Sequence, residues 1–306
     1  MNKLITIIGP TASGKTVLAA QLANQISGEI ISGDSRQVYR GMDLGTGKDL
    51  IDYTVNENPI PYHIIDVVDA GYKYNVYEFQ HDFIKAYNSI IERKRQPILC
   101  GGTGMYIEAA LKGYKLIHVP SNLEFRAICE TKSDEELIVE LKRYKELHNQ
   151  TDIDNRRRII RALEIELYHT NNPQIEFDYP NFSPIIIGVS IDVETRRHRI
   201  DTRLQHRLKG GMIDEVKALI DRGVPPETLI YYGLEYKFLT LYLINQLTYN
   251  QMVTQLNIAI HQFAKRQMTW FRGMERRGLK INWIDGLKPI SDKVIDCLDV
   301  IGNFGN

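Results

Sequence analysis

The sequence predicts an α/β fold in which a parallel sheet is covered by helices. Short apolar runs with the length of strands occur at residues 4–8, 29–32, 62–68, 98–101, 185–191 and 280–284. Most of these runs are separated by stretches with helical periodicity, and such alternation is typical of a parallel sheet. With 306 residues the chain can also bury a substantial core.

Composition places the chain among folded, water-soluble proteins. Hydrophobic residues make up 43% and charged residues 25% of the sequence, which excludes disordered and collagen-like classes. No apolar run reaches eighteen residues and the first residues lack the pattern of a signal peptide, so we expect a cytoplasmic protein without membrane contact. The three cysteines are far apart and form no pairing motif, so the sequence predicts neither a disulfide framework nor a zinc site.

The charges are balanced overall but clustered locally. Formal net charge is +0, which taken alone argues against a nucleic-acid partner. Basic residues are nevertheless concentrated in three groups: Arg156, Arg157, Arg158 and Arg161; Arg196, Arg197, Arg199, Arg203 and Arg207; and Lys265, Arg266, Arg272, Arg276 and Arg277. These groups form either a basic face for RNA or ordinary solvated helix surfaces.

The first strand leads into a phosphate-binding loop. This loop matches GxxxxGK[ST] and comprises Gly9, Pro10, Thr11, Ala12, Ser13, Gly14, Lys15 and Thr16. A predicted strand precedes it and a helix with apolar Leu18 and Leu22 follows, which is the context the motif requires. Backbone amides and Lys15 would hold phosphate oxygens, and the Thr16 hydroxyl would contact Mg²⁺. The sheet is therefore predicted to be of the P-loop NTPase-like kind.

The second strand ends at Asp34, whose role decides the class of reaction. This carboxylate is a helix N-cap, an acid that organises Mg²⁺, or a general base near a bound diphosphate. The strand at 98–101 ends at Gly101 and is followed by Gly102, Thr103 and Gly104. A phosphoryl-transferring enzyme usually carries an Asp at this place. That weakens the ATPase and kinase alternatives without excluding them.

The last third of the chain is predicted to contain a helical insertion. Residues 196–272 show helical patterning broken at 210–211 and at 223–226, with no convincing strand. The run at 280–284 then returns to the sheet. We therefore expect a catalytic core formed by residues 1–195 and 273–306, and an insertion over 196–272 that contacts RNA and closes over the site as a unit.

Six ordered motifs resemble those of the bacterial tRNA dimethylallyltransferase family, also called tRNA isopentenyltransferases. In chain order they read GPTASGKT, DSRQVYRGMDLGT, HIID, GGTGMY, RIIRALE and AKRQMTWFR. The resemblance runs along most of the chain and implies transfer of a dimethylallyl group from dimethylallyl diphosphate to the N6 of the adenosine immediately 3′ of the anticodon in tRNA. A P-loop small-molecule or nucleotide kinase, and an RNA-binding module without catalysis, are the alternatives.

The resemblance also implies roles for single residues. The loop from Gly9 to Thr16 would bind the diphosphate together with Arg203 and Mg²⁺, Asp34 would accept the proton of the amine, and Thr103 would line the reaction channel. The residues implied to contact tRNA are Asp34, Ser35, Arg36, Gln37, Arg126, Arg157, Arg158, Ile159, Ile160, Arg161, Lys265 and Arg266. The target base would have to leave the anticodon stack to reach the site, and Tyr39 and Tyr106 are either its stacking partners or core residues.

Two positions depart from the family pattern in segments expected to face RNA. Glu235 occupies the place of a glycine in the motif that reads GLEYK here, and Ile260 with His261 replaces a threonine and an arginine. No zinc-finger pattern occurs near the end of the sequence, which suits the bacterial form. We expect the protein to act as a monomer.

Overall fold

A computed structural model describes residues 2–144, 153–172 and 178–303. The chain divides into two compact units. The larger comprises the described residues up to Tyr114 and from Tyr179 onward, and the smaller lies within Lys115–Asp178.

The larger unit contains every strand of the described residues. They are β1 (Asn2–Ile8), β2 (Gly28–Ser32), β3 (Tyr39–Arg40), β4 (Thr54–Val55), β5 (Asn58–Pro59), β6 (Tyr62–His63), β7 (Val68–Asp69), β8 (Gln96–Gly101), β9 (Phe182–Ser190) and β10 (Ile281–Asp285). Six of them form a fully parallel sheet in the order β10-β9-β1-β8-β2-β6. The remaining strands make two short pairs, β3 with β7 and β4 with β5.

Twelve α-helices accompany the strands within the described ranges. They are α1 (Lys15–Ile26), α2 (Val76–Glu92), α3 (Gly104–Lys112), α4 (Leu123–Glu130), α5 (Asp134–Leu141), α6 (Arg156–Asn171), α7 (Val193–Lys209), α8 (Met212–Asp221), α9 (Pro226–Tyr232), α10 (Leu234–Leu243), α11 (Tyr249–Arg276) and α12 (Ile290–Asn303). Helices α4 to α6 belong to the smaller unit. The α/β fold with a parallel sheet, predicted from the alternation of patterns, is confirmed.

The central strand β1 separates two apolar layers. Successive side chains of a strand point to opposite faces, so Leu4 and Ile8 enter one layer and Ile5 and Ile7 enter the other. The first layer contains residues of α2, α3 and the helices α7 to α11, and the second contains residues of α1 and α12. Because the strands are parallel, the loops after β1, β2 and β8 emerge at the same edge of the sheet.

The strand predicted at 62–68 is interrupted. The structure has β6 at Tyr62–His63 and β7 at Val68–Asp69, with bends between them. Ile64 and Asp66 have φ values of 62° and 55°, a left-handed conformation that a strand cannot contain. The carboxylate of Asp66 accepts a hydrogen bond from the fully buried Lys48, whose ammonium also binds Asp43 and the carbonyl of Tyr39. These contacts of Lys48 hold Asp66 at the break between the two strands.

The predicted insertion at 196–272 is helical, as its pattern indicated, but it shares a compact unit with the sheet. Ile200, Leu204 and Phe271 are buried in the same apolar layer as Leu4 and Ile8. The segment that separates as a second unit is Lys115–Asp178. A role of 196–272 in RNA contact stays a prediction.

The smaller unit is built from α4, α5 and α6 around Leu137, Leu141, Ile159 and Leu163. Each helix begins at a side chain that accepts its first free backbone N–H groups: Asn122 for α4, Ser133 for α5 and Asn155 for α6. These caps fix the helix starts within a small core.

The three cysteines, Cys100, Cys129 and Cys297, are buried and free. Among the described residues no helix is both long and apolar enough to cross a bilayer.

Candidate active site

A cavity of about 280 Å³ lies at the carboxyl edge of the sheet, within the larger unit. The loops after β1, β2 and β8 form one side of it, and residues of α7, α9, α10 and α11 form the other. Among the residues that line it are the phosphate-loop residues Thr11, Ala12, Gly14, Lys15 and Thr16, together with Asp34, Ser35, Arg36, Gln37, Thr103 and Arg203. The structure therefore brings the predicted diphosphate and catalytic residues together.

The phosphate loop has the conformation that an anion site requires. Gly14 precedes α1 with φ 82°, which favours glycine, and Ala12 also has a positive φ. No side chain caps the first turn of α1, so its N-terminal dipole faces the cavity unscreened. Gly9, Pro10 and Ser13 are buried and shape the loop rather than line the cavity.

Two partly buried cations, Lys15 and Arg203, line this cavity and repel one another. Burial lowers the pKa of Lys15, and the negative charge of Asp34 opposes that effect. Burial, followed by repulsion from Arg207, lowers the pKa of Arg203 to about 10, so its guanidinium remains charged at neutral pH. Arg203 donates to the hydroxyl of Thr11, a neutral partner, whereas Arg207 pairs with Asp49 at 2.8 Å. The region around Lys15 and Arg203 is therefore suited to a multiply charged anion.

Asp34 is held in a turn and does not cap a helix. Its Oδ1 accepts the N–H of Arg36 at 3.0 Å, and the residues that follow are not helical. The N-cap alternative is therefore wrong. Within the described chain, Oδ2 of Asp34 has no hydrogen-bond partner, so one oxygen of the carboxylate is free to accept a proton.

Thr103 is linked to the Asp34 turn through Ser35. Its Oγ1 accepts the backbone N–H of Ser35 at 3.0 Å and donates to the Ser35 hydroxyl at 3.3 Å. The backbones approach closely here, because a Cβ added to Gly101 would lie 2.4 Å from the carbonyl oxygen of Gly33. Only glycine allows these two strand ends to bring Thr103 next to Asp34.

Gln267 is a site residue to which sequence reasoning assigned no role. It lies on α11, is 5% exposed and lines the cavity. Its Oε1 accepts the N–H of Thr11 at 2.8 Å, and its Nε2 donates to the carbonyl of Gly102 at 2.9 Å. It therefore joins the phosphate loop to the Thr103 loop. Its place in the AKRQ motif was the available signal.

Acidic residues also line this cavity. Burial raises the pKa of Glu235 and of Asp52, and for Asp52 the neighbouring charge of Asp49 adds to the effect. Arg203 and Arg207 lower both pKa values in part. The departure of Glu235 from the family glycine thus introduces an acid beside the two arginines.

The loop from Asp43 to Gly45 is fixed by a single carboxylate. Glu215 of α8 accepts three successive backbone N–H groups, of Asp43, Leu44 and Gly45, at 2.9, 2.7 and 3.1 Å. Its Oε1 also accepts the hydroxyl of Tyr236 at 2.6 Å. Gly45 and Tyr236 both line the cavity, so Glu215 holds part of its wall.

The remaining residues predicted to contact tRNA divide into exposed and structural ones. Lys265 and Arg266 are exposed on α11, and Arg157 is exposed in the smaller unit. Arg126 and Arg161, also in the smaller unit, both pair with the buried Glu164.

Of the other predicted tRNA contacts, two are isoleucines of the small core and one is an exposed arginine paired at the surface. Ile159 and Ile160 are 1% and 5% exposed in the core of the smaller unit, which excludes a side-chain contact with tRNA in this conformation. Arg158 pairs with Asp154. Tyr39 and Tyr106 are buried too, at 0% and 3% exposure, so they are core residues and not surfaces for a base.

Comparisons with known proteins show the family of this chain. A family model described as IPP transferase matches residues 37–274. A relative from Parabacteroides distasonis named tRNA dimethylallyltransferase 1 is 58% identical, and the match covers 98% of each chain.

Solved structures of similar proteins share the fold. The full-length tRNA isopentenylpyrophosphate transferase of Bacillus halodurans matches with a TM-score of 0.72 at 30% identity, over 99% of this chain and 96% of that one. A eukaryotic dimethylallyltransferase acting on tRNA matches with a TM-score of 0.80 over 99% and 80% of the two chains. At 23% identity the second likeness concerns the fold alone.

Proposed function

The chain belongs to the IPP transferase family, and from that premise we propose that it transfers a dimethylallyl group from dimethylallyl diphosphate to tRNA. The acceptor is the exocyclic N6 of the adenosine immediately 3′ of the anticodon, and the product is N6-isopentenyladenosine. The family resemblance predicted from the six motifs is confirmed.

One observation supports the proposed reaction above the others. A single cavity contains Lys15, Thr16 and Arg203 beside the carboxylate of Asp34, which has one oxygen without a partner in the described chain. The reaction needs a site for the leaving diphosphate on one side of C1 of the dimethylallyl group. It needs a proton acceptor for the attacking amine on the other side. The cavity offers both within reach of one small substrate.

The phosphate loop and Arg203 act on the leaving group. In the reaction the bond between C1 of the dimethylallyl group and the diphosphate oxygen breaks, and the oxygen keeps the electron pair. The amides at the start of α1, the Lys15 ammonium and the Arg203 guanidinium stabilise the charge that develops there. Diphosphate binding also places negative charge beside the partly buried cations of Lys15 and Arg203.

Asp34 acts on the nucleophile. The N6 amine of adenosine forms the new bond to C1, and one of its two protons becomes surplus. Oδ2 of Asp34 accepts that proton while Oδ1 remains bound to the N–H of Arg36. Thr103, which is fixed by Ser35, lines the path between the base and the donor.

The residues present fit a magnesium ion that is shared with the substrate. The described residues contain no group of three or more His, Cys, Asp or Glu side chains that could hold a metal. The Thr16 hydroxyl lines the cavity at the start of α1, where it can provide one oxygen ligand. Mg²⁺ keeps waters and takes phosphate oxygens readily, so diphosphate and water would complete its shell and the ion would supply charge neutralisation.

The experiment is prenyl transfer with defined substrates. The protein is incubated with labelled dimethylallyl diphosphate and unmodified tRNA, and the RNA is then digested and its nucleosides analysed. We expect label in N6-isopentenyladenosine and in no other nucleoside. A parallel reaction with labelled ATP tests the kinase alternative. Label that stays in dimethylallyl diphosphate, or phosphate transferred from ATP to a small molecule, would overturn the proposed function.

A further inference from the structure

Arg36 differs from the other arginines that line the cavity. It lies in the same turn as Asp34, and its guanidinium carbon is 5.5 Å from the ring centre of Tyr232. Arg203 donates to a hydroxyl and Arg207 pairs with a carboxylate. Within the described ranges, the Arg36 guanidinium has neither a carboxylate nor a hydrogen-bond acceptor, and an aromatic ring is its principal contact.

The ring beneath Arg36 is fixed from several sides. Tyr232 is 3% exposed, and its hydroxyl accepts the N–H of Gly71 at 2.7 Å and donates to the carbonyl of Tyr72 at 2.9 Å. Behind it lies Tyr39, with ring centroids 4.5 Å apart and planes inclined at 38°. Tyr39 is itself held by the N–H of Tyr74. Arg36, Tyr232 and Tyr39 thus form a column whose guanidinium end lies at the cavity.

The position of this column relative to Asp34 matters for the acceptor base. The hydrogen bond from the N–H of Arg36 to Oδ1 of Asp34 fixes the two residues in one turn. A purine that brings its exocyclic amine to Oδ2 of Asp34 has its ring within reach of a side chain two residues away. A planar guanidinium stacks on bases as well as on aromatic rings, which the point charge of a lysine cannot do.

We propose that the guanidinium of Arg36, supported by Tyr232, is the platform on which the extruded target adenine stacks during prenyl transfer. This inference rests on the proposed function, because it presupposes an RNA base beside Asp34. It gives Arg36 a contact with the base itself rather than with a phosphate of the RNA.

The test compares two anticodon stem-loop RNAs, one with adenine at the target position and one abasic there. Binding of each RNA is measured for the wild type and for Arg36→Ala, Arg36→Lys and Arg40→Ala. Arg40 is the matched control, because it is exposed, pairs with Asp69 and lies outside the residues that line the cavity. All titrations are repeated at several salt concentrations, since phosphate contacts depend on salt.

We expect Arg36→Ala to weaken binding of the adenine RNA by roughly ten- to a hundredfold, the range for loss of one stacked base, and binding of the abasic RNA by less than about twofold. Arg36→Lys should behave like Arg36→Ala, and Arg40→Ala like the wild type. The slope of binding against salt should be unchanged. In transfer assays the KM for RNA should rise while that for dimethylallyl diphosphate stays the same.

Equal weakening of both RNAs, with a salt slope reduced by about one, would assign Arg36 to a phosphate and overturn the platform. Equal binding of the adenine RNA and the abasic RNA by the wild type would also overturn the platform. If that wild type still transfers the prenyl group, the proposed transferase function stands. The proposed function has its own criterion, which is transfer by the wild type. Preference for the adenine RNA that is lost on Arg36→Ala supports the platform independently of that outcome.

Discussion

At the scale of single residues, the proposed reaction depends on the free oxygen of Asp34. The sequence left three roles open for this residue. The structure removes the capping role because no helix follows Asp34. A carboxylate with one bound and one free oxygen beside a phosphate loop is suited to proton transfer.

Asp34→Ala should therefore reduce prenyl transfer by roughly 10²–10⁴-fold, the scale of general-base catalysis. Binding of dimethylallyl diphosphate should remain close to normal, because the carboxylate acts on the amine and not on the leaving group. Single-turnover transfer and equilibrium binding of the donor measure the two effects separately. Near-normal turnover of the variant would mean that solvent, or another residue, takes the proton.

Substitutions of different cations should impair the use of different substrates. Lys15→Ala and Arg203→Ala should weaken use of dimethylallyl diphosphate by at least about tenfold, since each loses a charged contact of about 1.5–3 kcal/mol. Arg157→Ala should instead weaken tRNA binding and lower its salt slope by about one. Arg157 is the suitable probe in the smaller unit because it is exposed, whereas Arg126 and Arg161 are paired with the buried Glu164. An identical defect toward both substrates in all three variants would contradict this division.

Glu235 should make the free energy of unfolding of the protein depend on pH. Burial raises its folded-state pKa above the ordinary glutamate value of 4.5, so folding favours the protonated form. That contribution to stability is complete below the ordinary pKa and is lost as pH rises through the raised folded value. Glu235→Gln removes the titration, so the free energy of unfolding of the variant relative to the wild type should increase over that window. Parallel denaturation curves across the pH series would contradict the assignment.

At the scale of elements, α11 acts on the site through a buried amide. Gln267 holds the N–H of Thr11 and the carbonyl of Gly102. Nearer the C-terminal end of the helix, Glu108 of α3 accepts hydrogen bonds from Trp270 and Arg277. Helix α11 is thereby fixed to both the phosphate loop and α3. The main strands, the phosphate loop and Asp34 could be predicted from local sequence patterns. These hydrogen bonds between residues distant in the sequence could not.

Gln267→Met tests this role of α11, with Gln80→Met as its matched control. Gln80 is an equally buried glutamine, 1% exposed, whose amide donates to the carbonyl of Ala109 away from the cavity. Both changes leave buried polar groups unpaired, so each should lower the free energy of unfolding by about 1–3 kcal/mol. Only Gln267→Met should also raise the KM for dimethylallyl diphosphate. Equal transfer kinetics in the two variants would make Gln267 purely structural.

At the scale of the whole molecule, the segment 196–272 is helical and belongs to the same compact unit as the sheet. Residues 196–272 contain no strand, which suggested an insertion, yet Ile200, Leu204 and Phe271 share a layer with Leu4 and Ile8 of the sheet. The separate unit is Lys115–Asp178, whose small core contains residues far apart in the chain, such as Cys129 and Leu163. Which apolar faces pack together is decided by tertiary contacts that periodicity does not record.

This packing predicts how residues 196–272 behave before tRNA binds. Movement of α7 and α11 as a unit away from the sheet would expose their buried apolar side chains and break the bonds of Arg203 and Gln267 to Thr11. We therefore expect their core-facing amides to exchange hydrogen slowly in the free protein, at rates set by global unfolding. Adding tRNA should slow exchange mainly at exposed positions such as those around Lys265, and dimethylallyl diphosphate should act mainly on the phosphate loop. Fast exchange throughout α7 and α11 that becomes slow only with tRNA would instead show that the segment closes as a lid, in agreement with the motion first expected from its sequence.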